Sequence, residues 1–361
     1  DTMRKKHFLF ASVLALLCGS STLHAQDFKL TSSGYFKNQG VDVMAFDDIY
    51  PEGHQGGVCI IMNGHRVATN GDIRLEATPG QWQPVPKQLD RKLGDNSITA
   101  TLCYPDSSRH LTGFNPMIYP DLHLIYTVNV ESKGKNIEVT VDLDRPIPQE
   151  FIGKVGFNLE FFPGSLFGKP WIMDGQSGIF PQQPNSPLMT TQPNYLHTGN
   201  YHDGKQSLAD MDKLIGKGYS PIVADDIISE PYAKGTKFTS RPDDPYNKVT
   251  IESLSGDLQL FDGRMNHNNG WFVLRSNIKP GVTKGAVKWI ITPNVVADWM
   301  YQPVIQTSQI GYHPTQDKEA VIEMDIRDNR KETAQIIRID ADGEKVVKNV
   351  TPANWGKFLR Y

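Results

Sequence analysis

The chain has 361 residues, 39% hydrophobic and 21% charged, which excludes a disordered chain and leaves room for two domains. Lys and Arg number 37 against 40 Asp and Glu, so no basic excess is available to bind nucleic-acid phosphate. Abundant Gly (31), Pro (24) and aromatic side chains point to turns and strands more than to helices.

Met3 reads as the initiator. Arg4, Lys5 and Lys6 precede an apolar run, Phe8 to Leu17, and small and polar residues then lead to Leu23-His24-Ala25. That run is about half the length a bilayer-spanning helix needs. The pattern is that of a Sec signal peptide over residues 1–25, cut after Ala25. Export to the periplasm, the cell surface or the medium is expected. Leu17 stands where lipoprotein processing at Cys18 wants a small side chain, so plain secretion is favoured over lipidation. No later segment is long and apolar enough to cross a membrane. Export permits a disulfide, but Cys59 and Cys103 are far apart in the chain, and two separate buried thiols are expected.

Val58 to Met62 runs into Asn63-Gly64, a dipeptide that supplies the positive φ of a type I′ hairpin turn. Asn70-Gly71 repeats the signal, and Ile73, Leu75 and Ala77 then alternate with charged residues. The reading is a three-stranded meander from about 57 to 78. A second hairpin alternates Leu122, Leu124, Tyr126, Val128 and Val130 with polar residues, turns near Gly134, and returns through Ile137, Val139, Val141 and Leu143. Such a period of two places one apolar face on a core. Val155, Phe157, Leu159 and Phe161 continue it. Further strands are expected at Ile98–Tyr104, Val249–Ile251, Leu258–Phe261, Trp271–Leu274 and Ala286–Ile291.

Residues 163–247 are loop-rich, with a helix expected at Ser207–Ile215. A boundary is expected near Pro303. Beyond it, Val304–Ile310, Ala320–Asp325, Ala334–Asp340 and Lys345–Val350 read as short strands, with Asp342-Gly343 as the last turn. They are too few for a whole small sandwich, so the chain reads as ending in mid-domain at Tyr361.

Chemistry is sparse. Asp47-Asp48 and Asp225-Asp226 are adjacent, and neighbours on a strand point to opposite faces, so neither makes a dyad by adjacency. His197, His202 and Asp203 lack a metal-binding spacing, and no phosphate loop or serine elbow is present. No catalytic residue, metal or cofactor is assigned. Trp171, Tyr195, Tyr201 and Trp271 lie in or beside the loop-rich stretches, with His267-Asn268-Asn269-Gly270 before Trp271. They are candidate platforms for stacking on sugar rings; the alternative is that they pack the core, which is the assignment for Trp289.

The run Ile305-Gln306-Thr307-Ser308-Gln309-Ile310-Gly311-Tyr312-His313-Pro314, followed by Lys318-Glu319-Ala320-Val321-Ile322, resembles the opening of the immunoglobulin-like domain of glycoside hydrolase family 9. Residues 27–302 are similar to the amino-terminal extension of such enzymes from polysaccharide-degrading Bacteroidetes. The carrying segments are Glu52 to Gly57, Val67 to Asp72, Phe161-Phe162-Pro163 and Phe167-Gly168-Lys169. The resemblance implies a mainly β chain: a large antiparallel β-sandwich of the supersandwich kind over 26–302, then a truncated immunoglobulin-like sandwich over 303–361. It also implies an inverting, cellulase-like β-glycanase acting on β-glucan or a related plant-type polysaccharide. Its catalytic barrel would follow Tyr361 in the same chain, and residues 26–302 would bind glycan or act as a spacer. The rival reading is a non-catalytic carbohydrate-binding or surface adhesion protein.

Overall fold

A computed structural model describes residues 27–47, 56–76, 79, 86–104, 122–183, 189–190, 228–265, 271–330 and 333–357. Strands dominate. In chain order they begin with β1 (Lys29–Leu30), β2 (Phe36–Asn38), β3 (Val41–Ala45), β4 (Val58–Met62) and β5 (His65–Leu75). Then come β6 (Lys87–Leu93), β7 (Ser97–Cys103), β8 (Ile125–Lys133), β9 (Asn136–Leu143), β10 (Val155–Phe161), β11 (Pro170–Met173) and β12 (Gln176–Ile179). A short pair, β13 (Met189–Thr190) and β14 (Ile228–Ser229), precedes β15 (Ala233–Gly235), β16 (Lys237–Ser240), β17 (Val249–Ser253), β18 (Leu258–Asp262), β19 (Phe272–Asn277) and β20 (Val287–Pro293).

These form two nine-stranded sheets. The first runs β1-β2-β3-β4-β5-β10-β19-β18-β15 and the second β12-β11-β16-β17-β20-β9-β8-β7-β6. Central pairings are antiparallel, such as β10 with β5 and β19, and β9 with β8 and β20. The expected mainly β sandwich is therefore the fold.

Alternation builds the core between the sheets. Tyr126, Val128 and Val130 of β8 and Ile137, Val139 and Val141 of β9 are buried, while the residues between them are partly exposed. Phe157 meets Trp289 edge-on at 4.9 Å, Phe161 meets Phe238 at 5.8 Å, and Phe180 meets Phe272 at 4.8 Å. Trp289 is fully buried, so its indole N–H needs an acceptor. It donates to Ser276 Oγ at 3.0 Å, and Ser276 donates on to Asp257 O at 3.0 Å.

Asn63 and Gly64 both take positive φ, as their hairpin requires. Asn70-Gly71 is different. The expected second turn is absent: β5 runs straight through it, with Asn70 at φ 56 and a register shift against both neighbours. The left-handed residue makes a bulge rather than a reversal. Gly71 then lies against Val58, where an added Cβ would sit 2.6 Å from the Val58 Cβ.

After Pro303, β21 (Val304–Gln306) pairs with β22 (Val321–Glu323) and β23 (Ala334–Asp340) with β24 (Gly343–Val350), each as a two-stranded sheet apart from the large ones. The expected strands over 304–310 and 320–325 are shorter than the sequence suggested. The 207–215 helix lies outside the described residues. Among those described, no helix is long and apolar enough to cross a membrane. Cys59 and Cys103 are both free thiols, the first buried.

Candidate ligand site

The first sheet carries a polar patch at its centre. Phe157, Leu159 and Phe161 of β10 point into the core, so Asn158 and Glu160 take the opposite face. All seven residues of β10 are nevertheless buried. Arg275 of β19 and Asp72 of β5 stand opposite Asn158, and Arg74 stands opposite Gly156. Glu76 follows at the end of β5. Asp72, Arg74, Glu76, Asn158, Glu160 and Arg275 are each at most 5% exposed. Gly156 makes the room: a Cβ there would lie 2.8 Å from Arg275 Nε.

One half of the patch is closed. Arg275 Nη1 donates to Glu76 Oε1 (3.2 Å) and Asn158 Oδ1 (3.0 Å), and Nη2 to the carbonyls of Glu76 (3.1 Å) and Lys154 (3.0 Å). Its Nε donates to Asn277 Oδ1 (2.7 Å), and Asn158 Nδ2 donates to Glu76 Oε1 at 2.5 Å. A guanidinium satisfied this fully is structural: it welds β19 to β10 and the end of β5.

The other half is not fully satisfied. Asn70 Nδ2 donates to Glu160 Oε2 at 2.5 Å, but Asn70 Oδ1 has no partner. Glu76 Oε2 and Arg74 Nε have none either. From the second sheet, the Tyr126 hydroxyl donates to Asp72 Oδ1 at 2.9 Å and that of Tyr104 to Ile73 O at 2.8 Å. Burial pushes the Asp72 carboxyl up to about 6, against the pull of Arg74, the Ile73 amide and Tyr126. Burial likewise pushes Glu76 up to about 7, against Arg275 and the Asn158 hydrogen bond. For Arg74, burial favours proton loss, but Glu160, Asp72, Tyr104 and Glu76 outweigh it and hold the proton more tightly than usual.

The aromatic candidates fall elsewhere. Trp171 of β11 is 6% exposed, with its ring against Gly178, where a Cβ would sit 2.5 Å from Trp171 Cζ2. A buried indole offers no free face for a sugar. Trp271, just before β19 on the other sheet, is half-buried and meets Phe162 edge-on at 4.3 Å. Tyr195, Tyr201 and residues 267–270 lie outside the described residues, as do Asp48, Asp225, Asp226, His197, His202 and Asp203. Among the described residues, no group of His, Cys, Asp or Glu is placed to hold a metal. An open depression of about 290 Å³ lies beside β15, between Gln176 and Glu230 to Lys234.

No family model matches the chain, and no curated protein matches it either. Among solved structures it is similar to a galactose mutarotase-like protein from Lactobacillus casei ATCC 334, 11% identical, over 71% of this chain and 97% of that one, at a TM-score of 0.33. It is also similar to a galactose mutarotase related enzyme from Lactobacillus acidophilus, 9% identical, over 72% and 96% of the two chains, at a TM-score of 0.32. The resemblance to glycoside hydrolase family 9 is corrected by these findings. No family model or curated protein supports it, and the two solved structures described above are of the mutarotase-like kind. The cellulase-like β-glycanase is withdrawn, and with it the role of accessory region to a downstream barrel. At these identities and TM-scores the likeness carries no argument about this chain's own activity.

Proposed function

We propose that the chain binds a small polyhydroxylated ligand, of the carbohydrate class, at the unsatisfied half of the polar patch. The observation that supports this is the set of three buried, unpartnered hydrogen-bonding atoms, Asn70 Oδ1, Arg74 Nε and Glu76 Oε2. An orphaned buried polar group costs about 1–3 kcal/mol, so three within one stretch of chain favour a site that an incoming molecule completes. Amide, carboxylate and guanidinium groups are planar and bidentate, the geometry that grips neighbouring hydroxyls. Calorimetric titration of the whole chain with monosaccharides and short oligosaccharides tests the reading. Arg74→Met should abolish binding, and Arg74→Lys, which keeps the charge without the planar fork, should weaken it. Undiminished binding in a folded Arg74 variant refutes the site. Export belongs to the same proposal, on the strength of Arg4 to Ala25. Amino-terminal sequencing of the protein recovered outside the cytoplasm should start at Gln26, and a start at Met3 would refute it.

A further inference from the structure

We infer that the ligand brings hydrogen-bond donors and positive charge to this patch, as a hydroxylated primary amine such as an amino sugar does, and that sugar acids and phosphorylated sugars are excluded. The inference rests on the ligand-site reading above.

Two observations carry it. The first is the balance of orphaned atoms: Asn70 Oδ1 and, with Glu76 ionised, its Oε2 are acceptors, and only Arg74 Nε is a donor. A partner that completes the set must give more hydrogen bonds than it takes. The second is charge. Asp72, Glu76 and Glu160 face two guanidiniums, and Arg275 is already spent on Glu76 Oε1, Asn158 and two carbonyls. At the unsatisfied end Arg74 therefore stands against Glu160, Asp72 and Glu76, in that order of influence, with the phenol of Tyr104 beside them. Tyr126 faces Asp72 from the second sheet and is itself held neutral, its acidity suppressed first by burial and then by Asp72.

Three carboxylates, Asp72, Glu76 and Glu160, against two guanidiniums, Arg74 and Arg275, leave the patch with an excess of acid. Burial raises Asp72 and Glu76 against the pull of Arg74 and Arg275, so the two guanidiniums do not fully offset the cost of ionising them. An ammonium group supplies three donors and the missing charge, so it displaces a proton as it binds. A carboxylate or phosphate adds a further negative charge at low local dielectric, where repulsion is weakly screened.

The test uses the whole chain and three probes of one ring: glucosamine, glucose and glucuronate. Calorimetry near neutral pH, in phosphate and in HEPES, separates binding heat from proton transfer. Glucosamine should bind about tenfold or more tightly than glucose, as a charge-assisted contact requires, with net proton release. Glucuronate should not bind. Glu76→Gln keeps the Oε1 contacts and removes the titrating group, so the preference for the amine should collapse. Glucose or glucuronate binding as well as glucosamine would overturn the inference and leave the ligand site standing. An unchanged preference in Glu76→Gln would also overturn it. Failure of all three probes would instead refute the ligand site.

Discussion

Glu76→Gln should make the protein more stable in mild alkali, although it deletes one member of a buried ion pair. Glu76 titrates near 4.5 in an unfolded chain and is raised to about 7 in the fold. Below the lower value both states hold the proton. As pH rises through the interval, the unfolded chain releases its proton first, so stability falls, and the loss is complete above about 7. The gap corresponds to a penalty on the order of 3 kcal/mol. Glutamine escapes it, because its Oε1 still accepts from Arg275 and Asn158 while its new amide replaces the oxygen that has no partner. Asp72, raised to about 6, has the same sign and is present in both proteins, so it cancels in the comparison. Asp142, Asp244, Asp325 and Asp328 are displaced downward and act only in stronger acid. Urea unfolding of both proteins at pH 5 and pH 8 checks the reasoning. The two should be nearly equal in acid, with the variant ahead by a few kcal/mol in alkali. A variant weaker than wild type at pH 8 would mean that Arg275 stabilises the carboxylate in its charged form and that burial is the lesser effect.

Two further predictions concern packing. Gly71→Ala presses a methyl against Val58 and should cost about 1–3 kcal/mol in urea unfolding, whereas Gly175→Ala, in open space, should stay within about 0.5 kcal/mol. Equal effects would refute the bulge geometry. Trp171→Ala should lose roughly 3–5 kcal/mol of stability and Trp271→Ala much less. A Trp171 variant that melts normally yet loses glycan retention in affinity electrophoresis would return that indole to the role of stacking platform.

Strands that bury one face were legible because alternation records burial directly. Tyr126 to Val130 and Ile137 to Leu143 lie where their apolar period places them. Asn70-Gly71 misled because a turn and a bulge make the same local demand, a residue at positive φ, and only the partner strand distinguishes them. β6 carries Lys87, Asp90, Arg91 and Lys92 at the rim of its sheet, and charges that protect an edge erase the apolar period. The polar patch was hidden by a related ambiguity. Asp72-Ile73-Arg74-Leu75-Glu76 and Asn158-Leu159-Glu160 alternate as a solvated strand does, yet their polar sides are buried. Only the register of three strands distant in sequence shows that those charges meet. The aromatic residues drew attention by type, which says nothing of exposure.

The order of strands within each sheet also sets a timetable. β10 finds β5 behind it in the chain but must wait for Phe272 to Asn277 before its other edge is covered. β9 pairs at once with β8 and then waits for Val287 to Ile291. A growing polypeptide thus presents two half-built sheets with bare central edges until the segment 272–291 has been synthesised. Contacts so far apart in sequence slow folding and lengthen the interval in which stray strand pairing competes. The same long-range closure that seals the finished core makes β19 and β20 the segments whose late arrival decides between folding and aggregation.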